Sequence, residues 1–113
     1  MSFQDAVRTV LTKYAVFNGR AGRSEFWYWV VFCFAVSIGL NILQSMAVSV
    51  SVMFAILLGF AGFAFSLATI VPGIAVGIRR MHDIGKSGWF VLIPFYNIYL
   101  AAQPSDPGAN AYG

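Results

Sequence analysis

Charge is what this sequence has least of. Only 10% of its 113 residues are Asp, Glu, Lys or Arg, against roughly a quarter in an ordinary soluble domain. With 59% hydrophobic residues and a mean hydropathy of +0.76, such a chain cannot cover itself in water. That excludes a soluble enzyme and a disordered tail. A single cysteine, Cys33, excludes an intrachain disulfide and a thiolate metal cage. Neither Gly nor Pro occurs from Gln44 to Ser51, so no turn residue marks that stretch.

The charges that are present cluster in Asp5 to Glu25 and Arg79 to Lys86, with Asp106 alone beyond them. From Phe26 to Ile78 there is none. One helical crossing of a bilayer needs about 20 apolar residues. The uncharged run therefore predicts two crossings, at 26–48 and 52–78, joined by the serine-rich turn around 44–51. Trp27, Tyr28 and Trp29 open the first at headgroup level. Basic residues flank the pair on both sides and are missing from its turn, so the positive-inside rule predicts a multi-pass protein with its N-terminus in the cytoplasm. The apolar run starts too late and is too long for a cleaved signal peptide.

The fold class that follows is all-α: a polytopic integral membrane protein with an N-terminal amphipathic helix, a transmembrane hairpin and a short third apolar segment, in one domain spanning 1–113. Residues 2–17 place Phe3, Ala6, Val7, Val10, Leu11, Tyr14 and Phe17 at helical spacing. This predicts a helix lying in the membrane interface, with packing on the bundle as the alternative. Ser24 is the expected N-cap of the first span. Residues 79–88 form a basic loop. Residues 89–102 are apolar but reach only about 21 Å as a helix, and Pro94 and Asn97 interrupt them. A strained third crossing is expected there, with a re-entrant or interfacial segment as alternatives. The tail 103–113, free of Lys and Arg, is then expected on the far side.

Within the second span a seam of small residues includes Gly59, Gly62, Ser66, Thr69, Gly73 and Gly77. Small side chains let helix backbones approach in lipid, where apolar contact alone gains little. Packing within the hairpin is the first expectation, with Ser37, Asn41 and Gln44 of the first span facing the seam. Assembly of a homo-oligomeric transporter or channel subunit through the same face is the alternative. Pro72 is expected to kink the helix.

Two polar motifs carry what chemistry there is: GRAGRSEFW from Gly19 and RRMHDIGKSGW from Arg79. The predicted hairpin brings them to one face, gathering Arg20, Arg23, Glu25, Arg79, Arg80, His82, Asp83 and Lys86. Together these motifs resemble the domain-of-unknown-function 805 (DUF 805) family of small bacterial inner-membrane proteins, as does the closing Pro107–Gly113. Arg20, Arg23, Glu25 and Trp27 match the first motif; Arg79, Arg80, His82, Asp83, Ser87 and Trp89 match the second. The resemblance implies a helical protein of the inner (plasma) membrane with no assigned activity. The apolar stretch after Trp89 is shorter than is usual in that family.

Gly85-Lys86-Ser87 is not a phosphate loop, because Arg80 stands where the pattern requires glycine. His82 and Asp83 are adjacent, so neither is placed to orient the other, and no nucleophile stands beside them. One histidine is too few for a metal site. The expectation is a non-enzymatic module with no catalytic, metal or cofactor-binding residues. Its arginines and carboxylates act as a structural clamp, and its basic loops bind anionic lipid or a membrane-protein partner. The net charge of +3 is accounted for by membrane topology, so no nucleic acid is expected.

Overall fold

A computed structural model describes residues 2–113, and these are helical without strands. Two long helices form an antiparallel hairpin: α2 over Arg23–Val48 and α3 over Val52–Asp83. At 1.5 Å per residue they measure about 39 and 48 Å, longer than the roughly 30 Å hydrocarbon core, so their ends stand out of it. The molecule extends 55 × 27 × 21 Å. Within the most apolar window of each long helix only 6% of residues are buried. Phe34 and Phe60 are 65% and 67% exposed. A water-soluble bundle would hide these side chains; here they are the surface that faces lipid.

The connector needs no glycine because Ser51 caps α3, its hydroxyl accepting from the Phe54 amide at 3.3 Å. At the other end α2 starts at Arg23, one residue before the expected cap Ser24. The Phe26 amide bonds to the Gly22 carbonyl at 3.2 Å, and Gly22 is the N-cap without side-chain help. This earlier start draws Glu25 into the first turn of the helix, where a carboxylate is favoured by the macrodipole.

Three glycines of the small-residue seam are in contact within the monomer. A Cβ on Gly59 would stand 2.9 Å from Gln44 Nε2, on Gly73 3.8 Å from the Trp29 ring, and on Gly77 3.0 Å from Val91. Gln44 in turn donates to the Ala55 carbonyl at 3.3 Å. Ser66 and Thr69 bond back to carbonyls of their own helix. A Cβ on Gly62 would have open space around it.

The N-terminal helix α1 covers Phe3–Thr12, shorter than the 2–17 expected. Ser2 caps it by accepting from the Asp5 amide at 3.2 Å. Its apolar face is turned mainly onto the bundle: Ala6 and Val10 are fully buried, while Phe3 and Leu11 remain half-exposed. Val10 packs with Ala21, Trp29 and Val76. The helix stops early because the next residues have tertiary partners that a continuing helix would not reach. The Val16 carbonyl accepts from Arg79, and the Tyr14 hydroxyl donates to the Ala68 carbonyl at 2.8 Å.

That last bond answers a vacancy in α3. The helix runs unbroken through Pro72, which has no N–H to give to the carbonyl four residues earlier, Ala68. Tyr14 supplies the missing donor. Tyr14→Phe should therefore cost about 1–3 kcal/mol, the usual penalty for an acceptor left without a partner. In a Pro72→Ala background the restored amide should remove most of that loss. Midpoints of SDS-induced unfolding in mixed micelles measure both; equal losses in the two backgrounds would refute the coupling.

The expected third span is not built as a helix long enough to cross a membrane. After α3 come a 3-10 turn, Gly88–Leu92, and a six-residue helix α4, Tyr96–Ala101, about 9 Å long. The segment leaves the polar end of the hairpin beside Ile78 and returns to it at Arg80. Pro94 and then Phe95, at φ 66°, turn the chain back. Trp89, Leu92 and Phe95 are 77%, 68% and 85% exposed, an apolar loop that the rest of the chain does not cover. Consequently the tail lies beside the basic motifs rather than across the membrane from them.

Candidate functional site

The end of α3 is shaped by a Schellman motif. Lys86 N–H bonds to the Met81 carbonyl at 2.9 Å and Gly85 N–H to the His82 carbonyl at 3.0 Å, with Gly85 at φ 76°. A Cβ on Gly85 would also lie 2.5 Å from the Asp106 carboxylate, so glycine is required twice over. This turn sends the chain away from the helix axis and leaves the last turn of α3 to be enclosed by three other segments.

Arg79, Arg80 and Asp83 lie in that enclosure. Arg79 and Arg80 are fully buried, and Glu25 and Asp83 nearly so. Arg79 Nη1 donates to Glu25 at 2.7 Å and Nε to the Val16 carbonyl at 3.1 Å. Its own carbonyl accepts from the Ala21 amide at 3.0 Å. Arg79 thus joins α3 to the start of α2 and to the turn that precedes it. Its Nη2 has no hydrogen-bond partner among the described residues.

Arg80 points the other way. It pairs with Asp83 at 2.5 Å, donates through Nε to the Ala101 carbonyl at 2.9 Å, and bonds through Nη2 to the Gln103 carbonyl. Desolvation lowers the affinity of this guanidinium for its proton; Asp83 opposes that effect and Arg23 adds repulsion. Asp83 is shared. One oxygen accepts from Arg20 Nε at 2.9 Å; the other accepts from Arg80 and from the Ser105 hydroxyl.

Arg20 supplies the outer layer. Besides Asp83 it reaches the carbonyls of Asp83, Asp106, Gly108 and Gly113, so all five of its donors have acceptors. The Asp106 amide bonds to the Asp83 carbonyl at 3.0 Å. Asn110 donates to the His82 carbonyl at 2.9 Å and to the Asp106 carboxylate at 3.1 Å. The tail is therefore a structural part of the site. Asp106 is its one charged residue. Ser105 and the carbonyl acceptors are the contributors that sequence reasoning missed, since any residue presents a carbonyl.

His82 Nδ1 lies 3.0 Å from the Gly19 carbonyl; a carbonyl only accepts, so that nitrogen carries the proton. The ring stacks on Tyr112 with centroids 4.0 Å apart. The carboxylate of Asp83 is directed to Arg20, Arg80 and Ser105, with no bond to the imidazole among the described residues. Trp27 Nε1 donates to the Ala101 carbonyl that Arg80 also uses. Among the described residues no three His, Cys, Asp or Glu side chains gather as metal ligands.

Arg23 and Lys86 stand outside the ion-pair network. Both are exposed; Arg23 donates to the Ala102 carbonyl at 3.3 Å, and the Lys86 ammonium sits 5.9 Å from the centre of the Phe90 ring. Arg8 and Lys13 are exposed on α1. None of these four has a carboxylate within ion-pair distance among the described residues. The clamp thus has a buried interior of ion pairs, with four exposed cations outside that network.

Three curated bacterial proteins show the same kind of sequence. The chain is 29% identical over 117 residues to "Inner membrane protein YhaI" of Escherichia coli (strain K12), covering 93% of this chain and 89% of that protein. It is 33% identical over 119 residues to "Inner membrane protein YhaH" of the same organism, covering 92% and 89%. An "Uncharacterized protein YiiR" is 38% identical over 79 residues, 68% of this chain and 48% of that one. The sequence model of a family described as "Protein of unknown function (DUF805)" matches residues 14–113. No solved structure matches.

Proposed function

The chain belongs to the DUF805 family of inner-membrane proteins, and from that premise we propose that it is a non-catalytic membrane module whose buried clamp fixes a cationic rim against anionic lipid headgroups. One observation supports this reading: the arginines of the interior are committed to Glu25, Asp83 and backbone carbonyls, whereas Arg8, Lys13, Arg23 and Lys86 are exposed and have no carboxylate within ion-pair distance among the described residues. Arg79 and Arg80, fully buried, have no surface to offer a headgroup. Their part is to hold the loops that carry the rim.

The rim faces the cytoplasm in this reading, with both crossings returning to that side, because basic residues flank both long helices and none lies in the turn between them. Each cation near an anionic surface contributes about 1 kcal/mol. Replacing Arg8, Lys13, Arg23 and Lys86 together by Gln should abolish the preference of the protein for phosphatidylglycerol over phosphatidylcholine, measured by quenching of its tryptophans with brominated lipids in bilayers. An undiminished preference in that folded variant would refute the reading.

A further inference from the structure

From Ser87 to Ser105 the chain carries no Asp, Glu, Lys or Arg, and Trp89, Phe90, Phe95, Tyr96 and Tyr99 make that stretch aromatic. Much of it is uncovered: Trp89, Leu92, Phe95, Ile98 and Tyr99 are between 56% and 85% exposed. A contiguous apolar surface of this kind marks contact with another macromolecule or with a membrane. Three observations favour the membrane. The first is continuity. Gly88 packs on Ile78, which an added Cβ would meet at 2.7 Å, and Val91 packs on Gly77, at 3.0 Å. Gly77 and Ile78 are the last residues of the uncharged run, so the loop runs beside the span rather than beyond it. Val91 and Ile98 share a cleft of about 380 Å³ with Gly77 and with Phe34, a lipid-facing residue of α2. On the other flank Trp89 and Leu92 share a cleft with Ile74 and Ile78.

The second observation is that the loop satisfies most of its own backbone, as surroundings poor in water demand. The amides of Phe90, Ile93, Tyr96, Asn97, Ile98 and Tyr99 bond to carbonyls between Ser87 and Phe95. Asn97 donates its side-chain amide to the Val91 carbonyl at 2.8 Å, and Pro94 has no N–H to satisfy. The Phe95 amide, where the chain turns back, has no acceptor among the described residues, which suits the ester level of a leaflet better than the hydrocarbon centre. The third is that both ends are held at the clamp. The turn at Gly85 delivers the loop, and the Ala101 carbonyl returns it to Arg80. It can enter only the leaflet next to the clamp.

We propose that residues 88–101 are a monotopic anchor: an aromatic loop seated in the interfacial layer of that leaflet, with Trp89, Leu92 and Phe95 among the acyl chains just below the headgroups. Trp and Tyr favour this level because their rings are apolar and their N–H and O–H groups are not. No charged residue lies on the loop, so it takes lipid of either headgroup charge and does not depend on the cationic rim. A second copy of the chain is the competing cover for this face.

The full chain in phosphatidylcholine bilayers, carrying a nitroxide label on one cysteine in a Cys33→Ala background, provides the test. This lipid is zwitterionic, so failure of the cationic rim would leave the result unchanged. Leu92→Cys and Phe95→Cys are labelled in turn, beside two references: Phe34→Cys on the lipid-facing side of α2 and Ala109→Cys in the exposed tail. Collisions of the label with oxygen, which partitions into lipid, are compared with collisions with a water-soluble nickel complex. At Leu92 and Phe95 oxygen should dominate, shifting the ratio toward the Phe34 value and away from that of Ala109. SDS-unfolding midpoints equal to that of the parent certify the labelled variants as folded. A label at Ile98, 56% exposed, reads the same loop should either variant fail that check. Nickel-dominated collisions at Leu92 or Phe95 would place the loop in water and overturn the anchor. Protection from both reagents, with spin–spin broadening that vanishes on dilution with unlabelled protein, would overturn it too and assign the face to a second copy.

Discussion

Asp83→Ala should be the most damaging substitution in this protein, lowering its stability by about 3–5 kcal/mol. The carboxylate is the common partner of Arg20 and Arg80, and Arg80 is completely buried. Two charges in water cost little when separated, but a guanidinium shut away from solvent without its counterion loses both its Coulomb partner and a charge-assisted hydrogen bond. The same change frees the Ser105 hydroxyl. Two readouts follow. The SDS-unfolding midpoint should fall sharply, and the segment from Gln103 onward should become sensitive to added protease while α2 and α3 stay protected by the bilayer. A loss under about 1 kcal/mol would mean that carbonyls alone hold Arg80, contrary to the usual cost of breaking a buried pair.

Glu25→Ala should follow closely, again at about 3–5 kcal/mol. Among the described residues Arg79 already has one nitrogen without a partner, and loss of Glu25 would leave its Nε alone bonded, to Val16. The informative experiment is the cycle. Arg79→Met combined with Glu25→Leu replaces the pair by apolar side chains and should restore most of the stability, because such exchanges of buried ion pairs are often neutral or better. The single Arg79→Met variant, leaving Glu25 buried and unpaired, should be nearly as unstable as Glu25→Ala. Additive losses across the cycle, with no recovery in the double variant, would show that the two side chains do not depend on each other.

Much of the architecture is legible in one dimension because the bilayer imposes a simple length and charge rule. The uncharged run from Phe26 to Ile78 leaves little choice but two crossings, and α2 and α3 occupy it. Once a hairpin is assumed, Glu25 and Arg79 fall at the same end, so a meeting of the two motifs can be anticipated without coordinates. The end of α3 is a correction: residues 79–88 are expected as a loop, yet the helix continues through Arg79 and Arg80 to Asp83 before Gly85 turns the chain. Where reading fails, the cause is physical. Tyr14 continues the apolar spacing of α1 but lies beyond its end, with its hydroxyl on the carbonyl that Pro72 leaves open on a distant helix. The loop from Gly88 to Ala101 is apolar enough to suggest a crossing, but it turns back through a positive φ at Phe95, a residue type that rarely adopts one. The tail is hidden for another reason: its grip on Arg20 and Arg80 is made through main-chain carbonyls at Ala101, Gln103, Asp106, Gly108 and Gly113. Main-chain acceptors leave no imprint on the choice of side chain. The free and the buried arginines likewise look the same in sequence; only enclosure separates Arg23 from Arg80.

The two consecutive arginines also divide the chain in time. Arg79 takes its acceptors from Val16 and Glu25, which the ribosome has already made when Arg79 is added. Arg80, although helped locally by Asp83, depends on Ala101 and Gln103, which do not yet exist. The first junction can form without any residue beyond α3, whereas the second requires Gln103. The junction made by Arg79 thus draws on segments that precede it in the chain, and that made by Arg80 on segments that follow.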